Sequence, residues 1–280
     1  MTASSLALAW RSPRVMLGVV AATLLVLLNF YLFTLTDWTM LRGGGGADWT
    51  IFGEAGRRAV EGGALYAVED NYAFRYSPLL AYLFWIIAPI GALAWRVLHV
   101  AAVGAMALHD RRLALVTFLS WPFWFDVEAG NVMTFVLVVA AFALAGRRWA
   151  IGAYLVAAII IPRPLMLPVA IWLLWWHREW RWPFAALFVA HAIVVALTGW
   201  APAWIGSLVS SSAEIESVLN FGPSRLIGWW WIPIGLTAAV ILTWRGRLGW
   251  ASLATSPYWL PYYFLMPLLE LQHRRQRADS

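Results

Sequence analysis

The sequence predicts an all-α integral membrane protein, a polytopic helical bundle with short or broken helices. Three observations predict it. Apolar residues make up 62% of the 280 and charged residues 12%, with a mean hydropathy of +0.70, far from an ordinary soluble domain. All twenty basic residues are arginine, set mostly in pairs between apolar runs. Several of those runs are interrupted midway by proline, glycine or polar residues.

The first element is the apolar run 15–35. It is longer than the apolar core of a signal peptide and has no small-x-small cleavage site, so it reads as a retained helix with its N-terminus inside. The segment 37–77 that follows reads as the first extracytoplasmic loop. It carries six of the fourteen acids, Asp37, Asp48, Glu54, Glu61, Glu69 and Asp70. Within it Trp49, Phe52 and Val60 share one face opposite Glu54, Arg57, Arg58 and Glu61, the pattern of a short helix lying along the membrane surface. Residues 78–109 are too long for one crossing and are interrupted by "APIG" (88–91), which suggests a re-entrant piece followed by a span.

Later topology comes from the arginines. Clusters at Arg11/Arg14, Arg111/Arg112, Arg147/Arg148, Arg178/Arg181, Arg245/Arg247 and Arg274/Arg275/Arg277 belong in the cytoplasm by the positive-inside rule, together with both chain ends. The intervals between them must then leave and return. Residues 113–146 turn at "DVEAGN" (126–131), 149–176 at "PRP" (162–164) and 248–271 at "SPYWLP" (256–261). Arms of about 11–15 residues span roughly 17–23 Å, short of a hydrocarbon layer near ~30 Å. The three apices are therefore expected inside the outer half of the membrane, where non-helical backbone needs protein or a wet cavity beside it. Two ordinary spans, 182–200 and 226–243, flank a second external loop, 201–225. No second soluble domain is visible, so residues 1–280 read as one transmembrane domain.

Composition removes several chemistries. Without cysteine there are no disulfides, thiolate metal sites or cysteine nucleophiles. No HExxH, Walker loop or GxSxG elbow occurs, and no cofactor or metal is expected. The pI near 10.1 reflects scattered topology signals and not a nucleic-acid surface. His99, His109 and His191 read as packed, hydrogen-bonded histidines. The tryptophans at 175–176 and 229–231 read as interfacial anchors.

What remains points to a charged site at the apices. Arg163 stands between two prolines; it either snorkels to the outer interface or holds an anion, and a guanidinium suits a lipid-linked phosphate. Asp126 and Glu128 either pair with an arginine such as Arg163 or face a wet cavity. Asp48 either caps the loop helix or acts as a general base beside a substrate hydroxyl.

The succession "ADWTIFGEAGRRAVEGGALY" (47–66), "RYSP" (75–78), "AGNVMTF" (129–135), "RRWAIGAYLVAAIIIPRPLMLP" (147–168) and "SPYWLPYYFLMPLL" (256–269) resembles glycosyltransferase family 87. These are GT-C-fold membrane enzymes of the bacterial plasma membrane that use polyprenyl-phosphate sugars, among them mannosyl- and arabinofuranosyltransferases of cell-envelope glycans. The resemblance implies Asp48 as catalytic base and Arg163 and Arg75 against the donor phosphate. It implies a cavity lined by Tyr76, Asp126, Glu128, Asn131, Ser256, Trp259, Tyr262 and Tyr263, facing outside. Tyr262 or Tyr263 would stand in for a histidine that members commonly carry after the tryptophan. The implied reaction is metal-independent transfer of a sugar, mannose foremost, with inversion. Donor, lipid or glycan acceptor and membrane lipid would be its partners.

Overall fold

A computed structural model describes residues 13–66, 74–209 and 219–272. Glu69, Asp70, Arg11, the C-terminal arginines and part of the second external loop lie outside them. The chain divides into two compact units, residues 1–38 and 39–280. In the first, helix α1 (Pro13–Leu35) is apolar around its whole circumference. Leu17, Leu24, Leu25, Val26 and Phe30 are all exposed, as suits a helix whose solvent is lipid.

The second unit is helical throughout, with no strand among the described residues. Its elements are α2 (Ala47–Glu61), α3 (Pro78–Ile87), α4 (Gly91–Ala107), α5 (Arg111–Leu119), α6 (Trp121–Ala129), α7 (Met133–Leu144) and α8 (Arg148–Ile160). There follow α9 (Leu167–Trp176), α10 (Arg181–Leu197), α11 (Ala201–Val209), α12 (Ser224–Ile227), α13 (Trp231–Trp244) and α14 (Leu248–Thr255). Among the described residues four helical stretches are long and apolar enough to cross a membrane: 16–35, 78–107, 178–197 and 224–244.

Each expected apex is a break between short helices. Helices α7, α8 and α9 have 12, 13 and 10 residues, and α14 has 8. Helix α6 ends where Gly130 adopts φ +73° and its N–H reaches the Asp126 carbonyl, a left-handed stop that glycine adopts without strain. Helix α8 ends ahead of Pro162 and Pro164, neither of which can donate to a preceding carbonyl. The last arm departs from a regular helix. Residues Pro261–Leu269 form a 3-10 helix with Pro267 inside, because a proline there removes an amide donor and crowds the turn before it.

Residues 78–109 resolve into α3 and α4, joined through a short 3-10 turn at Ala88–Ile90. Helix α3 starts under a Ser77 cap, whose Oγ accepts from the Leu79 N–H at 3.2 Å, with Pro78 in the first turn.

The surface-helix pattern read for 49–60 is corrected. Val60 is 46% exposed, whereas Phe52, Ala55, Gly56 and Ala59 are buried. Small residues let α2 lie directly on α3: a Cβ on Gly56 would meet the Trp85 backbone nitrogen at 2.6 Å. The outward face keeps Glu54, Arg57, Arg58 and Glu61, linked in i,i+3 and i,i+4 ion pairs.

The core is the set α6, α7, α14 and the 261–269 segment, which pack on one another. Most of α7 is buried, including Met133, Val136, Leu137, Ala140 and Ala141. By contrast α10 and α13 bury few residues. Within the second unit the broken, short elements thus make the interior, and α10 and α13 contribute little to it.

Candidate functional site

Five segments distant in sequence meet at the apices. Helix α2 supplies Asp48, the loop before α3 supplies Arg75 and Tyr76, the α6–α7 break supplies Asn131, and the apices at 163 and 256–263 supply Arg163 and the tyrosines.

Asp48 is not a helix cap. The cap position of α2 is Gly46, which makes no side-chain hydrogen bond to the helix, and Asp48 lies inside the first turn. Its Oδ2 instead accepts from Asn131 Nδ2 at 2.8 Å, and Tyr262 stands near enough to the same carboxylate to favour its charged form. Asn131 is oriented by its own backbone neighbourhood, since its Oδ1 accepts from the Val132 N–H at 2.6 Å. Protein surrounds the Asp48 carboxylate while part of the residue stays accessible. Burial is the main cause that pushes its pKa up to about 6; the hydrogen bond from Asn131 pulls the other way.

The loop that carries Asn131 is pinned from α4. Trp95 donates to the Gly130 carbonyl at 3.0 Å, and His99 Nε2 lies 2.8 Å from the Asn131 carbonyl oxygen. The indoles of Trp49 and Trp95 pack at 5.5 Å between centroids. A Cβ on Gly130 would come within 2.7 Å of the Trp49 Cβ, so this approach requires glycine as much as the positive φ does.

Arg163 is presented by the broken backbone. Its Nη1 donates to the Tyr258 hydroxyl, its guanidinium lies 4.5 Å from the centroid of the Tyr76 ring, and its Nε is buried without a partner. No carboxylate lies within ion-pair distance of it among the described residues. The Pro164 carbonyl accepts from Thr255 Oγ1 at 2.9 Å, which fastens this apex to the last one. Tyr76 connects the two halves of the site: its hydroxyl lies 3.4 Å from Asn131 Nδ2, while its ring faces Arg163. Asp48, Asn131, Tyr76, Arg163 and Tyr258 therefore form one continuous constellation.

Arg75 is buried beside them. Burial first, then the field of Arg163, lowers its pKa, and Tyr258 and Tyr263 oppose that. The segment around it is held by Tyr66, whose hydroxyl donates to the Tyr76 carbonyl at 3.0 Å. A cavity of about 430 Å³ opens on Arg163 and is walled by Ile159, Pro162, Phe184, Phe188 and His191. Among the described residues no group of three or more histidines and acids is placed to hold a metal ion.

Several expected lining residues take other roles. Asp126 is fully buried and pairs with neither arginine. Its Oδ2 accepts from the Thr134 N–H and hydroxyl at 2.8 and 2.7 Å, and His99 Nε2 stands 3.6 Å away. It braces the α6–α7 break. Glu128 accepts from the Thr39 N–H at 2.9 Å and the Met40 N–H at 3.1 Å, so it caps the 3-10 turn at 39–42. Ser256 closes its own turn by donating to the Tyr258 carbonyl at 2.5 Å. Trp259 packs edge-on against Trp231 and Phe264, with its N–H held by Asn220. Tyr262 stands at Asp48, and Tyr263 stacks on Tyr258.

Two residues escaped the sequence reading of the site. Tyr258, the partner of Arg163, sits one position before the tryptophan on which the motif centres. His99 is the packed, hydrogen-bonded histidine expected, but nothing in its apolar surroundings connects it in sequence to the loop 32 residues away that it holds. His191 is buried and hydrogen-bonded to Ser77 Oγ at 2.6 Å.

No family model, curated protein or solved structure matches this chain.

Proposed function

We propose that the protein is a membrane glycosyltransferase that moves a sugar, mannose foremost, from a polyprenyl-phosphate donor to a lipid-linked or glycan acceptor. The observation that carries this reading is the joining of a desolvated carboxylate and a carboxylate-free guanidinium in one constellation through Tyr76. The arginine opens on an apolar cavity, so its ligand has both an anionic head and an apolar tail. The resemblance of the five contributing segments to glycosyltransferase family 87 supplies the reaction class.

In this mechanism Asp48 Oδ takes the proton of the acceptor hydroxyl as the acceptor oxygen bonds to the anomeric carbon. The bond from that carbon to the phosphate oxygen breaks on the opposite face, which inverts the centre, and polyprenyl phosphate leaves with the electron pair. Arg163 and Arg75 stabilise the charge that grows on the phosphate, and in a site of low polarity such aligned cations act strongly. A base with a pKa of about 6 is largely ionised at neutral pH and still accepts a proton readily. Asn131 holds the carboxylate with Tyr262 beside it, and its hydrogen bond must be shared or yielded as the acceptor enters.

The test is transfer of label from radiolabelled polyprenyl-phosphate mannose to a lipid extract, in membranes carrying wild type, Asp48→Asn or Arg163→Ala. Transfer by wild type, lost in Asp48→Asn with donor binding retained and lost in Arg163→Ala together with binding, is the expected result. Binding of the donor without transfer by wild type would instead identify a lipid-phosphate carrier or accessory subunit. Failure to bind the donor at all would remove both.

A further inference from the structure

We propose that a second site, at the end of the bundle away from Arg163, binds the headgroup of an anionic phospholipid. Helix α8 runs from Arg148 to Ile160, next to the Arg163 apex, so its start lies roughly 20 Å from that apex at ~1.5 Å per residue. At this start is a cavity of about 750 Å³ lined by Leu108, His109, Phe142, Arg147, Arg148 and Trp149, among others.

The fold itself leaves these guanidinium groups unused. The turn between α7 and α8 is closed by backbone bonds, Gly146 N–H to the Ala143 carbonyl at 2.9 Å and Arg147 N–H to the Phe142 carbonyl at 3.1 Å. Neither Arg147 nor Arg148 takes part in an ion pair among the described residues. The adjacent acid in sequence, Asp110, is buried and caps α5 by accepting from the Leu113 N–H at 3.0 Å.

The walls are built. The His109 ring packs on Phe142 at 5.3 Å, and Phe142 packs on Trp149 at 5.5 Å. Gln272 steadies the histidine: its Nε2 donates to the Ala141 carbonyl at 2.9 Å and lies 3.2 Å from His109 Nε2. One side of the cavity is apolar and continues outward. Leu93, Val97, Val100 and Leu108 follow one face of α4, and all four are exposed, Leu108 at 91%.

Two unpaired guanidinium groups call for an anion, and the adjoining apolar stripe calls for a chain. A phospholipid with a net negative headgroup carries both, and basic pockets between membrane helices are a known form of such recognition. The tryptophan at the rim suits the interface between headgroup and acyl chain.

The experiment is native mass spectrometry of the detergent-solubilised protein titrated with phosphatidylglycerol or phosphatidylcholine. Four proteins are compared: wild type, Arg147→Gln/Arg148→Gln, Arg112→Gln/Arg178→Gln and Ala105→Phe. The first pair lines the cavity, the second removes equal charge outside it, and the phenylalanine fills the cavity with its charges intact. Wild type is expected to retain phosphatidylglycerol at concentrations where phosphatidylcholine is lost. Arg147→Gln/Arg148→Gln should weaken that retention about tenfold, Ala105→Phe comparably, and Arg112→Gln/Arg178→Gln less than about twofold. All the substituted positions are exposed, and unchanged helix content and melting exclude misfolding. Equal losses from both arginine pairs would reduce the effect to diffuse surface charge. Equal retention of the two lipids, or full retention by Ala105→Phe, would remove the site. Displacement of the lipid by millimolar glycerol phosphate would reassign the cavity to a soluble phosphate.

Discussion

The outward face of α2 and the apex at Arg163 treat charge in opposite ways. On α2, Glu54, Arg57, Arg58 and Glu61 neutralise one another within one helical turn, at positions 39–57% exposed except for Arg58 at 22%. Arg57 first, then Arg58, hold the Glu54 carboxyl down at about 2. Such pairs form where water has already made charge inexpensive, and each contributes little. At the apex the guanidinium has phenols for company, one Nε without any partner and, among the described residues, no carboxylate within ion-pair distance. A buried donor left unmade costs about 1–3 kcal/mol, more when charged. The fold supplies close ion pairs where they matter least and withholds one where it would matter most, an arrangement that fits the anionic ligand proposed above.

The comparison breaks first at Asp48. Asp48→Asn is expected to lower sugar transfer by roughly a thousandfold or more, in the range for loss of a general base, with donor binding unchanged in an equilibrium binding assay. The same substitution should stabilise the fold. A carboxyl whose pKa is raised from 3.8 to about 6 by folding favours the folded state below pH 4 and loses that advantage as pH rises through 6. The difference is on the order of 2–3 kcal/mol. The melting temperature of Asp48→Asn at pH 8 should therefore exceed that of wild type by a few degrees, with the gain shrinking by pH 4.

Next is Arg163→Ala, for which donor affinity should fall by about a hundredfold, while Arg163→Lys recovers part of it by restoring charge without the forked donors. The pH profile comes third: transfer per donor bound should rise about tenfold per unit below pH 6 and level off above it, as Asp48 ionises. A flat profile between pH 5 and 8 would detach the chemistry from this carboxylate. Tyr258→Phe should cost about tenfold in donor affinity, the value of one hydrogen bond to a charged group. Smallest of all, Glu54→Gln should move the melting temperature by no more than about a degree. If it outweighed Tyr258→Phe, the contrast between the two regions would fail.

The broken arms were legible in the sequence because proline and glycine act locally. "PRP" must interrupt a helix wherever it falls, and "AGN" supplies a left-handed stop. The second half of the site was less legible. The two carboxylates of "DVEAGN" look alike in sequence, yet Asp126 braces a loop and Glu128 caps a turn at residues 39–40. Nothing local distinguishes an acid that lines a cavity from one that braces a loop or caps a turn; that depends on Thr39 and Thr134, one of them far away along the chain. Val60 failed for a related reason. Its apolar character suggested the membrane face of α2, but Ala55, Gly56 and Ala59 allow a closer approach to α3, and contact distance outweighed side-chain hydrophobicity.

The bonds that close the site also set an order of assembly. Asp48 and Asn131 are 83 residues apart, and Arg163 and Tyr258 are 95. A chain emerging from the ribosome into the membrane can join the first pair once α7 has been inserted. The second waits until α14 and the turn after it have followed. For the interval between, Arg163 can have the Tyr76 ring beside it but not the Tyr258 hydroxyl, so the constellation is closed only when the segment carrying Tyr258 has joined it.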